Sequence, residues 1–131
     1  MERATVILVA EDDVVVRNLI NTVLTRSGYA VLLACDGMEA IQISRRHKGA
    51  IDLLLSDVTM PRMNGLELVK RLRQDRPGIK ALLISGRTSS EVARGNTSFD
   101  FMAKPFLPTA LRARIETILA GDPQDKAVDT V

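Results

Sequence analysis

Acidic residues follow two of the short apolar runs in this sequence. Glu11–Asp13 comes directly after the run Thr5–Ala10, and Asp57 comes shortly after the run Ile51–Leu55. If both runs are buried strands of one parallel sheet, their carboxyl ends meet at one edge and bring at least three carboxylates together. Carboxylates within about 4–6 Å raise one another's pKa unless a cation intervenes. Hard oxygen ligands of this kind suit Mg²⁺, so the pattern predicts a magnesium site.

Two further apolar runs end in residues suited to phosphate chemistry. Ser85 follows Ala81–Ile84, and Lys104 follows the weaker run Phe99–Ala103. If these strands lie beside the third one, a hydroxyl and an ammonium flank Asp57. A phosphoryl group on Asp57 would then meet an ion pair and a hydrogen bond. The set predicts a phosphate-handling site.

Each of these residues also has a simpler interpretation when taken alone. Asp13 is suited to cap a first helix, Ser85 to end a strand in a turn, and Lys104 to lie on the surface. An uncompensated acid after a buried strand is costly, so Asp57 is the hardest to explain this way. The functional interpretation therefore depends on the whole constellation.

The elements that must position these residues alternate between strand and helix. Strands are predicted at Thr5–Ala10, Ala30–Ala34, Ile51–Leu55, Ala81–Ile84 and Phe99–Ala103. Between these runs, apolar residues recur at helical spacing: Val16, Leu19, Ile20, Val23 and Leu24, then Met38 and Ile41, then Leu66, Val69 and Leu72, and finally Leu111, Ile115, Ile118 and Leu119. We expect Met38 and Ile41 to face inward. Gly28, Asp36, Pro77-Gly78, Pro108 and Gly121 mark helix ends.

This alternation predicts an α/β fold with one doubly wound, five-stranded parallel sheet and helices on both faces. We expect the strand order 2-1-3-4-5, which opens a crevice outside the carboxyl ends of strands 1 and 3. Residues 1–120 then form one domain. The polar residues 121–131 are expected to be a flexible tail.

Composition excludes several classes of protein. The chain has 131 residues, 46% of them hydrophobic, and a net charge of +2, which argues against bulk disorder and against direct nucleic-acid binding. It holds no apolar run of the roughly 18–20 residues that a membrane span needs, so we expect a cytoplasmic protein. The single cysteine, Cys35, excludes an internal disulfide framework and is expected to be buried or half-buried.

The order and spacing of these residues resemble the receiver domain of two-component response regulators. The resemblance covers about residues 4–120 and rests on Glu11-Asp12, DVTMPRMNG at Asp57–Gly65, Ser85-Gly86 and Lys104–Phe106. It implies a flavodoxin-like fold in which Asp57 accepts a phosphoryl group from a phosphohistidine. It also implies that Asp12, Asp57 and the main-chain carbonyl of Thr59 bind Mg²⁺, with Glu11 acting through water.

The same resemblance implies a conformational switch. Ser85 occupies the position of the switch hydroxyl and Phe101 that of the switch aromatic residue, while Thr59 and Arg87 would tune hydrolysis of the acyl phosphate. The Lys104-Pro105 bond is expected to be cis. The implied partners are a sensor histidine kinase or histidine phosphotransfer protein and an unknown output protein, with a homodimer also possible. The resemblance also implies no enzymatic activity toward other molecules, only self-directed phosphotransfer and autodephosphorylation.

One feature departs from the family pattern. Ser85 and Lys104 are 19 residues apart, which is short for a receiver, so the helix between the fourth and fifth strands is expected to be short or irregular. This resembles receivers of hybrid sensor kinases, whereas Met1 shortly before the first strand favours a stand-alone protein, and both alternatives stay open. Signalling is then expected to depend on the first helix or its neighbouring loops.

Two other interpretations stay open. Haloacid-dehalogenase-type phosphatases also use a strand-end aspartate with a hydroxyl and a lysine, but they carry a second acid where this chain has Thr59, and their metal-binding acids lie downstream. A degenerate receiver would be a phosphorylation-independent interaction module. It normally lacks the acceptor, the acidic pair or the lysine, and all of these are present here.

Overall fold

The computed structural model describes residues 3–86 and 99–121. These residues contain five strands and four helices. In chain order they are β1 (Val6–Ala10), α1 (Val14–Arg26), β2 (Ala30–Ala34), α2 (Gly37–Arg46), β3 (Leu53–Asp57), α3 (Gly65–Asp75), β4 (Lys80–Ser85), β5 (Asp100–Ala103) and α4 (Pro108–Ala120).

All five strands are parallel and lie in the order β2-β1-β3-β4-β5, which confirms the predicted topology. The register places Ala10 beside Ser56 and Asp57 beside Ile84. The carboxyl ends of β1 and β3 are therefore adjacent. The acids that follow or end these two strands meet at the point where the chain reverses its direction across the sheet.

Alternate residues of the strands face opposite layers, and each layer has its own buried core. On one side α1 and α4 pack against residues such as Ile7 and Leu53. On the other side α2 and α3 pack against residues such as Leu8 and Leu54. Both faces of the sheet are covered, which explains why the strands are nearly continuous apolar runs.

The bounds of the third and fourth strands differ from those of their apolar runs. The third strand begins and ends later than its run, and the fourth begins earlier and ends later. β3 spans Leu53–Asp57 instead of Ile51–Leu55, and β4 spans Lys80–Ser85 instead of Ala81–Ile84. The polar residues at their ends are included because they pair in the ladder, as Asp57 does with Ile84. Pairing does not require an apolar side chain, so a count of apolar residues misses these positions.

The predicted helix ends are confirmed. Asp13 caps α1 by accepting hydrogen bonds from the main-chain nitrogens of Val15 and Val16, and Asp36 caps α2. Gly28 follows the end of α1 with φ +93°, a conformation that glycine adopts without steric cost.

Two expectations about burial are wrong, because Met38 and Cys35 are exposed. Leu19 lies on α1 as its spacing predicts, and it is 40% exposed. The buried stripe of α2 consists largely of small residues, Gly37, Ala40 and Ser44 together with Ile41, and Met38 lies off that stripe. Cys35 lies just beyond β2, in the turn before the cap of α2.

Some predictions fall on residues outside the described part of the chain. They concern Arg87, the helix expected between the fourth and fifth strands, and the tail beyond Gly121. The boundary of the domain therefore stays a prediction. Among the helices of residues 3–86 and 99–121, none has the length and apolar character needed to cross a membrane.

Candidate functional site

Asp57 is the last residue of β3 and is only 8% exposed. The ammonium of Lys104 donates to its Oδ2 at 3.1 Å, and the main-chain nitrogen of Thr59 lies 3.4 Å from its Oδ1. Both carboxylate oxygens therefore face donors at the edge of the sheet. A buried carboxylate held in this way is available for chemistry at a fixed position.

The structure brings the predicted acids together. Glu11, Asp12 and Asp57 each offer a carboxylate oxygen, and these atoms lie within 4.8 Å of one another. Glu11 is 1% exposed, whereas Asp12 is exposed. We refer to these three residues and Lys104 as the acidic pocket.

Lys104 bridges two members of the pocket. Its ammonium lies 3.3 Å from Glu11 Oε1 as well as 3.1 Å from Asp57 Oδ2. Burial opposes the charge of the ammonium, but the contacts with Asp57 and Glu11 outweigh burial and raise the pKa of Lys104 above its ordinary value. The residue lies just after β5, its main-chain nitrogen donates to Ser85, and its bond to Pro105 is cis, as expected.

The pKa of Glu11 lies well above its ordinary value. Burial raises its pKa to about 7, the charge of Asp57 adds to this, and the hydrogen bond from the Asp13 nitrogen together with Lys104 opposes it. The carboxyl of Glu11 accepts that hydrogen bond at 3.0 Å through Oε2. A cation in the pocket would favour the ionised form of this group.

Of the two residues assigned to a switch, Ser85 lies next to the pocket and Phe101 lies on the neighbouring strand. Ser85 ends β4, is 1% exposed and is one position beyond Ile84, the partner of Asp57 in the ladder. Phe101 lies on β5 and is partly buried against the core that α2 and α3 cover. Thr59 is exposed in the loop after β3.

Sequence reasoning missed the contacts of two cations at the carboxyl edge of the sheet. Arg17 of α1 donates to the main-chain oxygen of Glu11 at 2.8 Å. Arg62 pairs with Asp36 at 2.9 Å in the loop between β3 and α3. Long side chains on a helix point back toward its N-terminus, which was a usable signal for Arg17. No comparable signal exists for Arg62, whose contact depends on the loop conformation.

The donor set fits a magnesium ion. Three carboxylates face a single described cation, Lys104, so the pocket carries two uncompensated negative charges when all its groups are ionised. A divalent ion restores neutrality, and Mg²⁺ prefers carboxylate, carbonyl and water oxygens. The buried position of Glu11 and Asp57 makes that neutralisation more valuable than it would be in water.

The chain belongs to the response regulator receiver domain family, because the model of that family matches residues 7–116. It is thus a receiver domain of two-component response regulators, the class that its fold and pocket define. Receiver domains bind Mg²⁺ at an acidic pocket and interact with histidine kinases and output domains.

Similar curated proteins include regulators and a kinase. The response regulator MprA of Mycobacterium leprae (strain TN) is 37% identical over 128 residues, which is 95% of this chain and 55% of MprA. The sensor kinase CckA of Brucella abortus (strain 2308) is 35% identical over 119 residues, which is 88% of this chain and 12% of CckA. This chain spans about half, or much less, of the length of these relatives.

Solved structures of similar chains share this fold. The receiver domain of the hybrid histidine kinase CckA has a TM-score of 0.75 at 36% identity. The match covers 98% of that domain and 87% of this chain. The chemotaxis response regulator CheY4 of Vibrio cholerae has a TM-score of 0.79 at 30% identity. The match covers 100% of CheY4 and 89% of this chain. Both likenesses extend to sequence as well as fold.

Proposed function

We propose that Asp57 is the phosphoacceptor of this receiver domain and takes its phosphoryl group from a phosphohistidine. The observation that carries the proposal is the convergence of Glu11, Asp12 and Lys104 on the carboxylate of Asp57. A carboxylate oxygen attacks the phosphorus, and a P–O bond forms as the P–N bond breaks. The imidazole nitrogen keeps the electron pair and takes a proton.

The protein contributes mainly positioning and charge to this transfer. The ammonium of Lys104 lies 3.1 Å from Asp57 and is placed to pair with a phosphoryl oxygen, which Asp57 alone would repel. Water later cleaves the acyl phosphate, releases inorganic phosphate and restores the carboxylate. Thr59 and Arg87 are proposed to tune this second step.

Mg²⁺ is the cofactor in this proposal. Asp12, Asp57 and the main-chain carbonyl of Thr59 would hold it, with Glu11 acting through water. When bound, the ion supplies positive charge that offsets the carboxylates and the phosphoryl oxygens.

Phosphorylation is proposed to shift the domain between two conformations. Ser85 would move toward the phosphoryl oxygens as Phe101 turns inward, which couples the pocket to the half-buried surface of β5. The output protein would recognise the shifted surface. A cytoplasmic location belongs to the same proposal and rests on family membership alone.

We also propose that the phosphodonor protein docks on the exposed start of α1 and the loop after β5. Val14 is 54%, Val15 73% and Leu107 68% exposed, although all three are large and apolar. Beside them an open groove of about 390 Å³ is lined by Val16, Leu19, Lys104, Pro105 and Phe106. An apolar surface that borders the acceptor suits a protein partner, which must bring its histidine to Asp57.

Acetyl phosphate with Mg²⁺ tests the acceptor directly. We expect intact-mass spectrometry to show the gain of one phosphoryl group, and Asp57→Asn to abolish it. Asp75→Asn is a matched control, because Asp75 is an exposed acid on α3 whose partner is Arg45. Absence of labelling in the wild type would instead favour a phosphorylation-independent module, and steady turnover of para-nitrophenyl phosphate would favour a phosphatase.

The docking surface has a separate test. Val15→Ser and Leu107→Ser are expected to slow transfer from a phosphorylated histidine kinase while leaving labelling by acetyl phosphate unchanged. Met38→Ser is the control, since Met38 is exposed on α2, which covers the other face of the sheet. Equal slowing by all three variants would contradict this surface.

A further inference from the structure

The loop between β3 and α3 contacts the start of α2 at two points. Arg62 Nη2 lies 2.9 Å from Asp36 Oδ2. The buried side chain of Met63 packs on Gly37, so closely that a Cβ atom at Gly37 would lie 2.9 Å from its sulfur. The far part of the loop is therefore held against a different element from the one that carries Asp57.

Asp36 is a fixed partner for this contact. Its Oδ1 accepts a hydrogen bond from the main-chain nitrogen of Glu39 at 2.8 Å as the cap of α2, and its side chain is only 18% exposed. That hydrogen bond and the guanidinium of Arg62 hold the pKa of Asp36 below its ordinary value. The carboxylate is thus held by two partners and ionised at neutral pH.

Arg62 adopts a backbone conformation that disfavours most side chains. Its φ is +69°, in the left-handed region. Next to it the main-chain nitrogen of Met63 donates to Pro61 at 2.7 Å, which closes a tight turn. Residues persist in such conformations when contacts on both sides determine them, and here those contacts are the ion pair and the packing of Met63.

The near end of the same loop is attached to the acceptor strand. The main-chain nitrogen of Gly65 donates to Val58 at 2.8 Å, and a Cβ atom at Gly65 would lie 2.5 Å from the main-chain oxygen of Asp57. Thr59 lies in the loop between its attachment at Val58 and the contact at Arg62. The main-chain nitrogen of Thr59 is 3.4 Å from Asp57 Oδ1. Fixing both ends limits how far Thr59 can move.

We propose that Arg62 is a positioning residue for phosphoryl transfer: through its ion pair with Asp36 it holds the loop so that Thr59 stays beside Asp57. The inference rests on the proposed function, which gives the carbonyl of Thr59 to the magnesium site. Arg62 touches no reacting atom in this scheme. Its effect is on the affinity of the pocket for Mg²⁺, whereas the rate of transfer at saturating Mg²⁺ is set by the acidic pocket.

The test compares Mg²⁺ binding with labelling in four variants. Arg62→Gln removes the charge, Arg62→Asn removes it but suits the left-handed backbone, Arg62→Lys keeps it, and Asp36→Asn removes the opposite charge while keeping an oxygen for the cap. Magnesium chloride titrations followed by amide NMR give the Kd. Acetyl phosphate labelling over a range of Mg²⁺ concentrations gives the half-saturating concentration and the limiting rate.

The ion pair is partly exposed, so the expected changes are moderate. Gln and Asn at position 62, and Asn at position 36, should raise the Kd for Mg²⁺ by about two- to fivefold, leave the limiting labelling rate unchanged and speed amide hydrogen exchange at Thr59 without metal. Lys at position 62 should recover part of the affinity. Arg71→Gln, which breaks the exposed Arg71–Glu67 pair on α3, should change nothing.

The outcomes separate the two levels of the proposal. The positioning role is overturned if both charge-removing variants at position 62 have the wild-type Kd for Mg²⁺ and the wild-type rate of amide hydrogen exchange at Thr59. The acceptor function stands in that case. A fall in the limiting rate at unchanged Kd overturns it too. If the wild type neither binds Mg²⁺ nor becomes labelled, the function itself is wrong.

Discussion

In the proposed function, the positive charge of Lys104 attracts the phosphoryl group and repels the metal ion. Replacing it by glutamine should therefore separate two readouts. We expect labelling of Asp57 by acetyl phosphate to fall by about 10²-fold, because the ammonium 3.1 Å from the carboxylate is lost. The affinity for Mg²⁺ should be equal or higher.

Mass spectrometry and Mg²⁺ titration measure these two effects. Lys70→Gln, on the exposed side of α3, serves as the control for loss of a lysine charge. Parallel loss of labelling and of Mg²⁺ binding would contradict the assignment, since it would indicate a damaged pocket.

Glu11 makes stability depend on pH in metal-free protein. Its pKa is about 7 in the folded chain against an ordinary value of 4.5, so the folded state binds the proton more tightly than the unfolded state. The free energy of unfolding should accordingly fall as the pH rises from about 4.5 to about 7, by at most about 3 kcal/mol from this group.

Denaturant titrations at pH 5 and pH 7.5 in the presence of a chelator check this dependence. Glu11→Gln should flatten it, because glutamine does not titrate, and Glu67→Gln on α3 should leave it as in the wild type. Added Mg²⁺ should reduce the loss at pH 7.5. An unchanged pH profile in Glu11→Gln would rule out this source.

The residue types of the pocket could be predicted from the sequence because they lie at strand ends. Apolar runs locate those ends, and the topology rule places them at one edge. The contacts of Arg17 and Arg62 could not be predicted in the same way. They depend on side-chain rotamers and on a left-handed residue in a loop, for which the pattern of apolar residues carries no information.

At the scale of elements, the start of α3 is in close contact with the end of β3. A Cβ atom on Gly65 would lie 2.5 Å from the main-chain oxygen of Asp57, and that atom belongs to the backbone and has little room to move. Gly65→Ala should lower the free energy of unfolding by about 1–3 kcal/mol and slow labelling, since the loop must shift.

Gly78→Ala is the matched control. A Cβ atom there would meet no described atom within 4 Å, so its effect should be within about 0.5 kcal/mol. Denaturant unfolding and acetyl phosphate labelling of the two variants provide the comparison. Equal stability of both alanine variants would show that the contact at Gly65 is not restrictive.

Asp13 illustrates an element end whose role is purely local. Asp13→Ala removes the cap of α1, which accepts from Val15 and Val16, and should cost about 1 kcal/mol of unfolding free energy. Asp13→Ser should recover most of it. Labelling should persist in both, because the contribution of Asp13 to Glu11 is its main-chain nitrogen; loss of labelling in the serine variant would be evidence against this division.

Helix faces were harder to predict than helix positions. The segment after Asp36 is helical as expected, but it is Gly37, Ala40 and Ser44 that face the core along with Ile41, not Met38. Small residues bury little area and give a weak apolar signal. They are nevertheless favoured where another chain segment approaches closely, as Met63 does at Gly37.

At the scale of the whole molecule, strand order was predictable because few topologies satisfy right-handed crossovers between parallel strands. The extent of the domain rests on a weaker signal, the loss of periodicity after Gly121. A homodimer also stays a prediction. Neither question is answered by the pattern of buried residues within one chain.

The predicted tail comprises residues 121–131, and removal of residues 122–131 tests the part of it that follows Gly121. The free energy of unfolding should change by less than about 0.5 kcal/mol. The labelling of Asp57 should be unchanged within experimental error. A chain shortened after Ala120 is the comparison, because it loses the Gly121 oxygen that accepts from Lys80 at 2.9 Å. Destabilisation by more than about 1 kcal/mol on removal of the tail alone would contradict a tail that lies outside the domain.

The two ends of β4 lie beside two different parts of the molecule. β4 begins at Lys80, whose ammonium donates to the main-chain oxygens of Ile118 and Gly121, and it ends at Ser85. Five residue steps of about 3.3 Å separate these positions, or roughly 17 Å. Polypeptide beyond residue 121 therefore departs from a point bonded directly to the strand that ends beside the acidic pocket.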